Sequence, residues 1–303
     1  MPFTLTLVIL PALLLDHLLG EPRRHPLALF GRVAVAVEHV LHGDSRWRGA
    51  LALLLLVIPP ALLIGWLARW PVLGWLVNIV VLYWAVGLRS LADHARAVAA
   101  PLCRGELPAA REAVARLVSR DTDALDEEGA ARATTESVLE NGNDAVVGAL
   151  FWFVIGGAGA VVAFRLVNTL DAMWGYRTPR YRRFGWAAAR TDDLLGYLPA
   201  RLTAAGYAVV GRTRGALRCW LRQAGRWSSP NAGPVMAAGA GALGVRLGGR
   251  SDYHGRPQWR PRLGAGACAD GTAIPRAVAL VRRTVLVLVA LIVVGEGGLA
   301  WLN

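Results

Sequence analysis

The sequence predicts an all-α integral membrane protein with about four full spans, a re-entrant helical hairpin, and further helices that are cytoplasmic or interfacial. Three observations carry this. Of the 303 residues, 55% are hydrophobic and mean hydropathy is +0.41, too apolar for an ordinary soluble domain. Apolar runs of membrane length recur along the chain. Arginine is concentrated in the stretches that separate those runs, the pattern expected when such stretches face the cytoplasm.

Phe3 to Leu19 is the first expected span. It has no basic leader and no small-residue cleavage site before "DHLLGEP", so it is expected to stay as an anchor and not be removed as a signal peptide. Ala50 to Ala68, Pro71 to Leu88 and Thr284 to Leu302 are the other full spans, which places spans near 3–19, 50–68, 71–88 and 284–302 in a single polytopic domain over 1–303. Residues 20–49 carry five Arg, 89–144 seven, 165–190 six and 212–283 thirteen, whereas the short link between the second and third spans has only Arg69. The segments 20–49, 89–144 and 171–283 are therefore expected to be cytoplasmic. A straight crossing by 145–164 would put its two basic flanks on opposite faces. Its centre reads "GGAGA", residues 156–160, where a helix readily breaks. A hairpin near 145–170, turning at Gly156 to Gly159, resolves the conflict; the alternative is one straight span with an imperfect charge rule. Leu194 to Gly211 holds Pro199 and Arg201 and is expected to be interfacial or protein-buried. Residues 89–139 read as helices broken at Pro101 and Pro108, with "RDTDALDEEGA" as a polar turn into another helix. Nothing reads as alternating strands, and no repeat of fixed period is present.

The net charge of +12 comes from 33 basic residues, all Arg. Without Lys there is no Walker lysine and no Schiff base. No nucleic-acid motif accompanies the arginines, so phosphate-bearing small molecules or anionic lipid headgroups are their expected partners. Cys103, Cys219 and Cys268 are too few and too scattered for a disulfide framework or a Cys-x-x-Cys metal site.

Three polar clusters flank the expected hairpin. "ESVLENGNDAVV" supplies Glu136, Glu140, Asn141 and Asp144; the acids fall at intervals of four, which stacks like charges on one helix face. "NTLDAMWGYRTPRYRRFGWAAARTDD" supplies Asn168, Asp171, Tyr176, Arg177, Arg180, Tyr181, Arg182, Arg183, Arg190, Asp192 and Asp193. "SSPNAGPVMAAGAGALGVRLGG" contributes Asn231 in a turn before a small-residue segment, whose glycines suit close helix packing because the phosphate-loop spacing is absent. Grouped carboxylates call for a compensating cation, and Mg²⁺ favours carboxylate and phosphate oxygens. Arginine offers planar two-point recognition of phosphate. Taken singly, the acids would be a solvated helical turn and the Arg/Tyr stretch an interfacial anchor; together they point to a site. His25 in "GEPRRHP" is expected to be a structural contact, and His17, His39, His42, His94 and His254 lack a metal-site partner.

With "LDHLLGEPRRHPLALFGR", "ESVLENGNDAVV", "NTLDAMWGYRTPRYRRFGWAAARTDDLLGYLPARLTA", "SPNAGPVMAAGAGALGVRLGG" and "DYHGRPQWRPRLG", the chain resembles the cobinamide-phosphate synthase family (CobD/CbiB type) of cobalamin biosynthesis along nearly its whole length. It departs from that pattern at Glu21, at Ala172, at Arg177, and at Gly142, Asn143 and Ala145. The resemblance implies a multi-pass enzyme of the bacterial inner membrane, active on its cytoplasmic face. It implies ATP-dependent amide formation between adenosylcobyric acid and (R)-1-amino-2-propanol phosphate or ethanolamine phosphate, with ATP as co-substrate and Mg²⁺, and possible association with other cobalamin-assembly enzymes. On this reading Glu136, Glu140, Asp144 and Asp171 are catalytic candidates and Glu140, Asp144, Asp192 and Asp193 metal candidates. Asn141, Asn168, Tyr176, Arg177, Tyr181, Arg182, Arg190 and Asn231 would hold substrate or phosphate. A non-catalytic AmpE-like membrane sensor and a small-molecule transporter are the competing classes.

Overall fold

The structure, a computed structural model, describes residues 5–22, 25–118, 120–253 and 256–302. Phe3 at the start of the first expected span, Arg23 and Arg24 of the "GEPRRHP" stretch, and His254 lie outside the described residues. In chain order the elements are α1 (Leu5–Leu19), α2 (Pro26–Leu41), α3 (Arg46–Leu67), α4 (Leu73–Ala85), α5 (Leu88–Cys103), α6 (Leu107–Ala115), α7 (Glu127–Asn141), a π-helical turn (Gly142–Val147), α8 (Gly148–Trp174), α9 (Trp186–Leu195), α10 (Tyr197–Val210), α11 (Thr213–Gln223), α12 (Ala232–Leu243), β1 (Val245–Tyr253), β2 (Arg256–Gly264), β3 (Ala267–Cys268) and α13 (Ala273–Leu302). The chain is 75% helical. Among the described residues four helical stretches are long and apolar enough to cross a membrane: Arg46–Leu67, Leu73–Cys103, Glu127–Trp174 and Ala273–Gly298. Among them are the second, third and last expected spans. The first expected span, α1, has 15 described residues; at about 1.5 Å per residue these cover less than the roughly 30 Å of a bilayer core.

Two compact units divide the chain. The first comprises Met1–Gly87, Asp144–Gly196 and Ile292–Asn303, the second Leu88–Asn143 and Tyr197–Leu291.

In the first unit α3, α4 and α9 pack on α8. Its core gathers Leu53, Leu56, Val57, Leu166, Leu170, Trp174 and Phe184, while Leu51, Leu54, Leu55, Ile58, Leu62 and Leu63 point outward from α3. An exposed apolar stripe of this length suits hydrocarbon, not water. The expected hairpin is present within α8. Gly156 leaves the helical region, and Gly157 takes φ 66°, ψ −157°, a conformation open essentially to glycine alone. There the chain reverses, since Arg165 Nη1 donates to the carbonyl of Asp144 at 3.1 Å; in a straight helix those positions would stand about 30 Å apart. Asn78 fixes the second arm. Its Oδ1 accepts from the Ala158 amide at 3.2 Å, and its Nδ2 donates to the carbonyls of Gly74 and Ala68.

The second unit is built around α12, all twelve residues of which are buried. Small side chains make this feasible, because a Cβ on Gly239 would press on Leu139 of α7 and one on Gly241 would meet the backbone of Gly215 in α11. Close packing is thus the role of these glycines, as expected. α7 starts at Asp126, whose carboxylate accepts from the Gly129 amide at 2.7 Å, a cap that contributes about 1 kcal/mol. Its far end is held by Tyr207, whose hydroxyl donates to the Leu139 carbonyl at 2.9 Å. α10 buries Pro199, Ala200, Thr203, Ala204 and Tyr207, which makes it protein-buried and not a span. A sheet of order β2-β1-β3 departs from the expectation of no strands: β1 and β2 pair antiparallel with Leu247 opposite Leu263, and β3 runs parallel to β1. The register slips between Leu247 and Gly249. Its strands "VRLGGRSDY" and "RPQWRPRLG" are rich in Gly, Arg and Pro, which propensity places outside strands; backbone pairing overrides it.

Candidate functional site

The three stacked acids of "ESVLENGNDAVV" do not share one environment. Glu136 is 2% exposed in the second unit. Its Oε2 accepts from Arg120 at 2.6 Å and Arg260 at 2.9 Å, and its Oε1 from the Gly248 amide at 2.8 Å. That amide is free because Gly248 sits in the β1 bulge at φ 78°, where a Cβ would collide with the Pro261 carbonyl. The expected stack of like charges is thus broken by two arginines from distant parts of the chain. Every acceptor position of Glu136 is engaged, the bonding of a structural strut and not of a proton acceptor. Glu140 is exposed at the end of α7 in the same unit, and Asn141 donates to the carbonyl of Ser137 at 2.9 Å within its own helix.

Asp144 opens the first unit's polar cluster. It lies in the π turn, a device that leaves carbonyls available; its carbonyl accepts from Arg165, and that of Ala145 from the Gly87 amide at 3.1 Å. Arg165 feels the negative fields of Asp144, Glu21 and Asp192, and its Nε is buried without a partner. One turn further along α8, Asn168 donates to Asp192 at 3.3 Å, and Asp171 lies in the field of Asp192 and Asp193. Burial pushes the Asp192 carboxyl up to about 6; neighbouring Asp193 pushes the same way, while Asn168 and Arg165 oppose it. Burial also raises Asp193, against the pull of Arg190 and Arg177, the former at 3.7 Å. Tyr176, Arg177, Arg182 and Arg190 are exposed.

A neighbouring network holds the loop that carries these arginines. Glu38 of α2 is 5% exposed and accepts from Trp174 Nε1 at 2.9 Å, Arg180 Nη2 at 2.8 Å and the Tyr181 hydroxyl at 3.0 Å. Burial alone would push its carboxyl up; these hydrogen bonds outweigh that and hold it below its ordinary value. Tyr181, expected to touch substrate, is engaged in positioning. Asn231 belongs to the second unit, where its side chain accepts from Arg201 at 3.1 Å at the start of α12. His25 is the structural contact expected, accepting from the Leu27 amide and donating to the Trp84 carbonyl. Sequence reasoning passed over Glu38 and Arg165, and named Glu21 only as a departure from the family pattern. A lone Arg in the apolar run "AVVAFRLVN" was the available signal for Arg165.

Among the described residues no group of three or more His, Cys, Asp or Glu is disposed to hold a metal ion. Glu140, Asp144, Asp192 and Asp193 therefore do not form a closed ligand shell; Glu140 lies in one unit and the other three in the other. The chemistry of the first unit's donors still suits a hard cation. Mg²⁺ needs only one or two carboxylates when substrate phosphates complete its sphere, and Asp171, Asp192 and Asp193 concentrate negative charge.

Fold and site together define a multi-pass helical membrane protein that carries clustered carboxylates and guanidinium groups beside the open end of a re-entrant hairpin. The family profile described as CobD/Cbib protein matches residues 9–281. The chain is 58% identical over 280 residues to the cobalamin biosynthesis protein CobD of Stutzerimonas stutzeri, covering 91% of this chain and 92% of that one. It is 55% identical over 282 residues to that of Chromobacterium violaceum, 90% of each, and 45% identical over 280 residues to that of Mycobacterium tuberculosis, 89% and 88%. No solved structure matches it. The chain belongs to the CobD/CbiB family, and its pathway is cobalamin biosynthesis.

Proposed function

We propose that the protein is an ATP-dependent amide ligase of the inner membrane, joining adenosylcobyric acid to (R)-1-amino-2-propanol phosphate or ethanolamine phosphate to give adenosylcobinamide phosphate. The observation that carries this reading is the grouping in the first unit of Asp171, Asp192 and Asp193 within one another's fields, with Arg165 in the field of Asp192 and Arg177 and Arg190 beside Asp193. An oxygen of the substrate propionate attacks the γ-phosphorus of ATP and ADP departs. The amine nitrogen then attacks the acyl carbon and inorganic phosphate leaves. Before attack the ammonium must lose a proton, and Asp192, with a carboxyl near 6, or adjacent Asp171 accepts it. Arg177, Arg182 and Arg190 are exposed and would clamp phosphate oxygens. Asp192 or Asp193 together with Asp144 would hold Mg²⁺, which would supply charge neutralisation on the phosphates. Purified protein incubated with adenosylcobyric acid, aminopropanol phosphate, ATP and Mg²⁺ is expected to yield the amide by mass spectrometry. Absence of an ATP-dependent product rejects the reading in favour of a sensor or transporter.

A further inference from the structure

The longest acid-free stretch of the chain, Leu194 to Ser251, is not used by the chemistry above, and it contains α11. The inner face of this helix is fixed: Ala216 and Cys219 are buried, and Gly215 lies so close to Gly241 of α12 that neither has room for a Cβ. The outer face is of two kinds. At about 100° per residue, Leu217 and Leu221 lie side by side and continue directly into Arg214, Arg218 and Arg222. Leu221 is 82% exposed and Leu217 41%, and all three arginines are exposed, as are Arg212 and Arg226 just outside the helix. Among the described residues no ion pair engages any of these five guanidinium groups.

We propose that α11 is an interfacial anchor that lies on the anionic phospholipid surface of the membrane, with Leu217 and Leu221 dipping below the headgroups and Arg214, Arg218 and Arg222 paired with lipid phosphates. An exposed apolar pair beside an uncompensated cationic row is stable at that boundary and unfavourable in open water. The lack of an ion pair to these guanidinium groups among the described residues selects an anionic surface over a zwitterionic one, since each basic side chain near such a surface gains from its negative potential. The anchor ties the second unit to the bilayer through a helix that does not cross it.

The test uses the full chain with Cys103→Ser and Cys268→Ser, leaving buried Cys219, and a spin label on Leu221→Cys. The protein is placed in nanodiscs of phosphatidylcholine alone or of phosphatidylcholine mixed with phosphatidylglycerol. Accessibility of the label to a water-soluble nickel reagent is expected to fall several-fold in the anionic discs and to recover when Arg214, Arg218 and Arg222 are changed to Gln. Equal accessibility in the two disc compositions, high or low, overturns the proposal without recourse to the triple variant. Protection that already appears in detergent and grows with protein concentration also overturns it, by showing that a second copy covers the helix.

Discussion

Arg165 Nη1 and the carbonyl oxygen of Asp144 are 3.1 Å apart although 21 residues separate them in the chain. That single bond requires the reversal at Gly156 and Gly157 and brings a cation of the second arm to the carboxylate-bearing entrance of the first. The reversal is the geometric condition for everything proposed about Asp144, Asn168, Asp171 and Asp192.

Gly157→Val is expected to destabilise the protein by about 1–3 kcal/mol, the strain of a branched residue at positive φ. Asn78→Leu is expected to cost about 1–3 kcal/mol by leaving the buried Ala158 amide unsatisfied. Thermal unfolding in detergent measures both; unchanged midpoints would contradict the turn.

Glu136→Gln leaves Arg120 and Arg260 without their shared counter-charge and is expected to cost about 3–5 kcal/mol, with a matching loss of folded protein on size-exclusion chromatography. A proton acceptor would behave differently, with normal stability and a collapsed kcat.

Asp192 titrates near 6, above the ordinary 3.8. Between those values the folded state holds more protons than the unfolded one, so this group's contribution to stability falls as pH rises from about 4 through 6. Asp192→Asn is therefore expected to raise the melting temperature at pH 7.5 in metal-free buffer, by roughly 2–4 °C per kcal/mol recovered, and to leave it unchanged near pH 3.5. The same variant is expected to lower amide formation by about 10²-fold or more.

Glu38 has the opposite sign. Its carboxyl lies below the ordinary 4.5, so its stabilisation is complete above that value and is lost as pH falls through the folded-state value. Glu38→Gln is expected to loosen Arg180 and Tyr181 and to raise KM for the phosphate-bearing substrate more than it lowers kcat; a pure kcat effect would assign Glu38 a different role.

The hairpin was readable in advance because two independent signals agreed, the arginines on both flanks of 145–164 and the glycines at its centre. The role of Glu136 was not, because its partners Arg120 and Arg260 come from 16 and 124 residues away and a local spacing rule sees only Glu140 and Asp144. The sheet escaped notice for a related reason: it is held by backbone pairing and by glycines at positive φ, not by an alternating apolar pattern. Asp171, Asp192 and Asp193 were legible as members of one polar cluster but their mutual arrangement was not, since the loop tied down by Glu38 decides how α9 returns to α8.

The distance in sequence between Glu136 and Arg260 also bears on biogenesis. While the ribosome is still making the 124 residues from Glu136 up to and including Arg260, the Glu136 carboxylate has one of its two cationic partners and no bulge amide to receive, so water must continue to hydrate it. α7 is therefore expected to reach its final packing only after β2 has emerged, which would make closure of the second unit a late event in synthesis.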